Sequence, residues 1–185
     1  MSSNGFLYRQ TPNLITIARI LLVPLVIWLL FAHWDSILGR VSALVLFVLA
    51  ASTDGIDGAI ARRRNVITNL GKLLDPIADK ALLSGALVAL SLLGEVSWWA
   101  TGLILLRELG ITLWRLAIAR KEVVAASGGG KLKTVIQIVA ISFVIVPFEF
   151  LGVWFEYLTE FGIWLSVAIT LVTGWQYLRA QYVKP

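Results

Sequence analysis

Six runs of predominantly apolar residues, each close to the roughly 20 that an α-helix needs to cross a bilayer, take up most of this 185-residue chain. They extend over Leu14 to Ala32, Val41 to Ala61, Lys72 to Leu93, Trp98 to Ile118, Thr134 to Val153 and Phe161 to Tyr177. The expectation is an all-α integral membrane protein with six transmembrane helices. Nearly every residue lies in or beside a span, so residues 1–185 read as one membrane domain with no soluble module attached. Composition agrees: the chain is 58% hydrophobic and 15% charged, whereas a soluble domain is about half apolar and about a quarter charged. Disorder, collagen and a disulfide scaffold are excluded. With no Cys, so are thiolate catalysis, Fe–S clusters and Cys-based zinc sites, and a lone His33 nearly excludes an imidazole metal site.

The net charge of +5 is better explained by orientation in a bilayer than by nucleic acid, because the basic residues fall in short clusters between apolar runs. Arg62 to Arg64 separate spans two and three; Arg120, Lys121, Lys131 and Lys133 separate four and five; Arg179 and Lys184 follow six. The alternate connections, near Asp35, Glu95 and Glu156 to Glu160, hold acids and one basic residue, Arg40. By the positive-inside rule both termini face the cytoplasm. Trp34, Trp98, Trp99, Trp154 and Tyr157 then fall near the outer interface, and Trp175, Tyr177 and Tyr182 near the inner one, as ordinary aromatic belts. Met1 to Pro12 carries only Arg9 as a basic residue and no clear cleavage site follows, so the first helix is expected to stay in the mature protein.

Four of the five Asp residues fall in one window, at Asp54, Asp57, Asp75 and Asp79. The first pair is spaced i, i+3 and the second i, i+4, so each pair belongs to one face of its helix. Two helices joined by a short basic loop run antiparallel, which allows all four carboxylates to converge. Like charges about 4 Å apart repel by about 4 kcal/mol at an effective dielectric of about 20, so a cation must sit among them. An all-oxygen ligand set suits Mg²⁺ or Mn²⁺. Two such ions would balance four carboxylates and form a centre suited to in-line displacement at phosphorus. Helix caps, or partners for Arg62 to Arg64, would explain one such Asp better than four. Gly55, Gly58, Ala59 and Ala61 leave the acidic face of span two without bulk, and Pro76 gives up a backbone hydrogen bond between the second pair.

Asp54, Asp57, Gly58, Ala61, Arg62, Gly71, Asp75 and Asp79 spell DxxDGxxAR, eight residues, then GxxxDxxxD, and this resembles the motif of the CDP-alcohol phosphatidyltransferase family. The resemblance implies a six-helix, usually dimeric membrane enzyme whose site opens to the cytoplasm. Such an enzyme displaces CMP from a CDP-linked lipid by attack of an acceptor hydroxyl. It implies further that Asp54, Asp57 and Asp75 hold the metal ions, and that Asp79 completes the metal site and acts as general base. On the same resemblance Gly58 and Ala61 admit the cytidine, Arg62 meets its phosphate, and Asp57 and Gly71 complete the CDP-lipid site.

Arg107 lies inside span four beside Glu108, Arg115 follows two turns later, and Lys131, Lys133 and Thr134 open span five. Buried basic residues around one pocket suit a phosphorylated acceptor, Arg as a fork and Lys as a point charge. Ordinary positive-inside flanking is the plainer account of Lys131 or Lys133 alone. A mid-span Arg107 needs a partner, and Glu108, adjacent in sequence, is expected to point elsewhere on the helix. The stretches PNLITIARI, LLRELGITLWRLAIAR and EVVAASGGGKLKTVIQ resemble the family's phosphatidylglycerophosphate synthase branch, from about Pro12 to Pro147. This branch implies CDP-diacylglycerol and sn-glycerol 3-phosphate as substrates, in a bacterial cytoplasmic membrane. Arg107, Lys131 and Lys133 would clasp the acceptor phosphate, with Arg115 and Thr134 contributing, and Asn13, Thr16 and Arg19 would line the cytoplasmic mouth. An inositol phosphate or phosphatidylglycerol acceptor is the alternative within the family. A divalent-cation transporter, from a different class, would need acids near mid-membrane rather than at cytoplasmic helix ends, and a basic pocket would repel its cargo.

Overall fold

A computed structural model describes the backbone of residues 3–63, 69–118, 129–148 and 151–182, and the side-chain surroundings of residues 17–53, 80–114, 132–148 and 151–179. The described backbone holds six α-helices: α1 (Ser3–Ala32), α2 (Ile37–Arg63), α3 (Asn69–Leu92), α4 (Trp98–Ile118), α5 (Gly129–Ile145) and α6 (Val153–Tyr182). Each overlaps one of the six apolar runs. The chain forms two compact units, Met1–Ala89 and Leu90–Pro185.

Most helix boundaries differ from the sequence expectation by a few residues, and three by eight or more. Helix α1 begins at Ser3, well before the apolar run at Leu14, because polar residues continue a helix readily once its apolar part is ordered. Helix α5 ends at Ile145 and α6 starts at Val153, so the fifth run does not reach Val153 as one helix. Pro147 explains the stop: it offers no N–H and disfavours helical backbone at Val146. The chain turns there through hydrogen bonds from Phe148 N to Val146 O (3.0 Å) and from Leu151 N to Phe148 O (2.9 Å), with Gly152 at φ 69°. The ring of Phe155 closes the corner edge-on against Phe143 and Phe148, at 6.2 and 5.6 Å.

In the first unit α1 packs on α2 through a core of Val26, Leu30, Ala43, Phe47 and Ala50. Gly85 of α3 lets α1 come close, since a Cβ there would stand 2.9 Å from Ile27 Cδ1. Ser36 caps α2: its carbonyl accepts from Arg40 N at 2.9 Å and its hydroxyl from Gly39 N at 3.4 Å. The Arg40 guanidinium lies over the Trp34 ring, 4.3 Å from its centre.

In the second unit α6 packs on both α4 and α5. The α3–α4 corner is a Schellman turn: Glu95 N donates to Leu90 O (2.9 Å) and Gly94 N to Ser91 O (3.2 Å), with Gly94 at φ 85°. Ser97 then starts α4, accepting from Trp99 N on its hydroxyl at 3.3 Å. The Ser91 and Thr101 hydroxyls, 2.7 Å apart, tie the two arms of the corner together.

The exterior differs from that of a water-soluble protein in its many exposed large apolar side chains, while several polar ones lie within the largely apolar core. Arg19, Thr101, Lys133, Gln137, Ser166 and Thr170 are buried, while large apolar side chains such as Leu21, Leu106, Leu113, Trp99, Trp154 and Trp175 are exposed. Residues Val153–Arg179 of α6 are, among the described residues, the one helical stretch long and apolar enough by length and composition to cross a membrane. Shorter apolar stretches lie in α1, α2, α3 and α5.

Candidate active site

The acidic motif lies on regular helix. The backbone of α2 runs through Asp54, Asp57, Gly58, Ala61 and Arg62, and that of α3 through Gly71, Asp75 and Asp79. Spacings of three and four on unbroken helix give each acidic pair a common face. Pro76 sits inside α3, so the carbonyl of Lys72 loses its i+4 donor beside the second pair. The side chains of all these residues, and with them the convergence of the four carboxylates, lie outside the described residues. So do the side chains of Asn13, Thr16, Arg115 and Lys131, and Glu149 altogether. Among the described residues, no three His, Asp or Glu come together as metal ligands. The chemistry of the motif nevertheless fits a hard divalent ion, because it supplies oxygen donors alone.

The basic half of the predicted site is visible in the second unit. Arg107, at the middle of α4, and Lys133, one turn into α5, are brought together by Glu108. Arg107 Nη1 donates to Glu108 Oε1 at 2.9 Å, and Lys133 Nζ donates to the same oxygen. The expectation that Glu108 points elsewhere is therefore wrong. Adjacent helix positions do diverge at Cβ, but the long arms of Arg and Glu bend back to meet between them. A lysine arriving from another helix adds a second reason for Glu108 to turn inward.

Lys133 is buried, its side chain 7% exposed, which does not fit a solvated interface residue. Burying an ammonium is costly unless a counter-charge accompanies it, and Glu108 supplies one. Thr134 follows it on α5, half-buried. Arg19, at the third predicted position of the opening motif, is 1% exposed inside the first unit.

Sequence reasoning missed the α6 side of this cluster. Arg107 Nη2 donates to Thr173 Oγ1 at 3.1 Å, and Gln137 Nε2 to Thr170 Oγ1 at 3.0 Å. The signal was present: Thr170, Thr173 and Gly174 make a small, polar stripe at i, i+3, i+4 spacing on α6. A cavity of about 250 Å³, lined by Glu95, Ser97, Val144, Glu156, Thr159 and Glu160, lies at the other end of α5 and touches none of the predicted site residues.

Comparison with known proteins accords with the motif. The family model for CDP-alcohol phosphatidyltransferases matches residues 9–172. The chain is 39% identical over 185 aligned positions to the Bacillus subtilis CDP-diacylglycerol–glycerol-3-phosphate 3-phosphatidyltransferase, covering 92% of this chain and 94% of that one. It is 37% identical over 174 positions to the Rickettsia typhi protein of the same name, covering 93% and 97%. A Mycobacterium tuberculosis protein named "Probable phosphatidylglycerophosphate synthase" is 46% identical over 138 positions, which span 73% of this chain and 65% of that protein's length. A match over most of the chain, with the acidic motif inside it, means that the chain belongs to the CDP-alcohol phosphatidyltransferase family.

Proposed function

We propose that this protein transfers the phosphatidyl group of CDP-diacylglycerol to sn-glycerol 3-phosphate, giving phosphatidylglycerophosphate and CMP. The observation that carries the reading is the complete acidic motif on α2 and α3 within the family match. The names of the relatives from Bacillus and Rickettsia support the choice of acceptor.

In this reading Asp54, Asp57, Asp75 and Asp79 hold two divalent ions, Mg²⁺ or Mn²⁺. Such ions, when bound, offset the charge of the diphosphate and of the departing CMP. Asp79 also takes the proton from the acceptor hydroxyl as its oxygen attacks the phosphorus and the bond to CMP breaks. Gly58 and Ala61 leave room for the cytidine, Arg62 meets its phosphate, and Asp57 and Gly71 shape the rest of that contact. Arg107, Lys131 and Lys133 bind the phosphate of the acceptor, assisted by Arg115 and Thr134. The ion pairs of Arg107 and Lys133 with one carboxylate support a shared anion-binding role, since they hold two cations within reach of one oxygen.

The reading includes a single domain of six spans with both termini in the cytoplasm, a homodimer, and a bacterial cytoplasmic membrane with the site on its inner side. The many exposed large apolar side chains, with Lys133, Gln137 and Thr170 buried instead, support embedding in lipid. The test is CMP release by the purified protein in detergent with CDP-diacylglycerol and Mg²⁺ or Mn²⁺. sn-Glycerol 3-phosphate is compared with inositol phosphate, free inositol, serine and phosphatidylglycerol. Release requiring both the ion and glycerol 3-phosphate supports the assignment; preference for another acceptor replaces the acceptor and leaves the transfer chemistry standing.

A further inference from the structure

The geometry points to Glu108, Thr173 and Gly174 as positioning residues that set the acceptor-phosphate site by fixing Arg107 and Lys133 from three helices at once. This rests on the acceptor-binding role proposed for those two cations.

The contacts close a triangle. Helix α4 is joined to α5 through Glu108 and Lys133, α4 to α6 through Arg107 and Thr173, and α5 to α6 through Gln137 and Thr170. Each side is a directional polar bond between helices, so together these bonds restrict the rotation of each helix about its own axis. Polarity is fixed as well. The single proton of the Thr173 hydroxyl is directed to the α6 backbone, at Ile169 O (2.8 Å) and Thr170 O (3.1 Å), so toward Arg107 this oxygen can only accept.

Gly174 makes the approach possible. A Cβ at that position would lie 3.1 Å from both Cγ and Nε of Arg107, tighter than ordinary contact. The arginine stem passes through the space a side chain would fill, and Arg107 Nε is buried there without a hydrogen-bond partner among the described residues. A guanidinium has five N–H groups, and the contacts to Glu108 and Thr173 engage two of its nitrogens, Nη1 and Nη2. Glu108 meanwhile offsets the repulsion between two cations in a poorly solvated place. The three residues thus orient the fork and the ammonium before the acceptor arrives, and none of them needs to touch it.

The experiment measures KM for glycerol 3-phosphate and for CDP-diacylglycerol separately in wild type, E108Q, T173V, T173S and G174A. T173V removes one acceptor at nearly constant volume and is the decisive variant. It is expected to raise KM for glycerol 3-phosphate about tenfold, in line with loss of a hydrogen bond to a charged group. KM for CDP-diacylglycerol should stay within about twofold on the same argument, since that bond serves the acceptor side alone. T173S, which restores the hydroxyl, should return the acceptor KM close to wild type. E108Q and G174A should move the acceptor KM in the same direction. An unchanged acceptor KM in T173V, an equal rise in both KM values, or no rescue by serine would overturn the positioning role even in an enzyme that uses glycerol 3-phosphate. A wild-type enzyme that releases CMP without regard to glycerol 3-phosphate would remove the acceptor reading itself.

Discussion

The two units handle charge in opposite ways. In the first, α2 and α3 repeat one sign at helical spacing, Asp54 with Asp57 and Asp75 with Asp79. In the second, the signs are mixed: Glu108 pairs with both Arg107 and Lys133. A face that repeats one sign stores repulsion that an added ion relieves, which is the basis of the metal-receptor role proposed for it. A mixed cluster carries its own counter-charge and uses it to hold shape, leaving a modest positive excess for an anion. In the proposed function the first region would be completed by its ligand, and the second would be set before its ligand comes.

The largest expected effect breaks the first of these regions. Asp75→Asn or Asp54→Asn is expected to lower CMP release by about a thousandfold or more, since an electrostatic element of phosphoryl transfer is lost. Chelation of divalent ions should do the same to the wild type, with recovery on returning Mg²⁺ or Mn²⁺. Chelator-resistant release would end the metal-receptor account. Asp79→Asn sharpens it: turnover should fall to background while equilibrium binding of CDP-diacylglycerol partly survives, because a base acts in the transition state. Loss of binding together with turnover would make Asp79 chiefly a metal ligand.

The second region should respond more gently and more selectively. Arg107→Ala or Lys133→Ala is expected to raise KM for glycerol 3-phosphate by about 10- to 100-fold, the range of a charge-assisted contact, with a much smaller change for CDP-diacylglycerol. Steady-state kinetics with one substrate varied at a time would read this, and equal changes for both would erase the division of labour. The smallest effect belongs outside both regions. Gly94→Ala puts a side chain where φ is 85° but where nothing lies within 4 Å, so the cost is backbone strain alone, about 1 kcal/mol. Thermal unfolding in detergent should shift down by a few degrees with kinetic constants unchanged.

The contrast also explains what was legible in the sequence. An acidic motif made of one residue type at fixed spacing is written locally, so Asp54, Asp57, Asp75 and Asp79 stand out in a chain with so few acids. All six helices were likewise legible, because a helix in an apolar chain announces itself by length. The α5 stop at Ile145 was legible in principle from Pro147, yet the apolar run continues to Val153 and hid it. The pairing of Arg107 with Glu108 and Lys133 was not, because position on a helix gives the direction of Cβ and not the reach of a four- or five-atom arm. Thr173 was hidden for a different reason: a small polar stripe on an apolar helix reads as packing until the residue 66 positions away that donates to it is known.

Helix α6 has one more consequence. Its candidate span Val153–Arg179 carries Glu156 and Glu160 near one end and Arg179 at the other, so the uncharged part, residues 161–178, is about 27 Å long at about 1.5 Å per residue. The hydrocarbon layer of a bilayer is about 30 Å thick. Embedded as proposed, α6 matches that layer nearly upright, and a thinner or thicker membrane would make it lean or deform the lipid around it, each at a fraction of a kcal/mol per Å of mismatch. Thr173 and Gly174 ride on this helix, and so the thickness of the host membrane bears on the angle at which Arg107 is held.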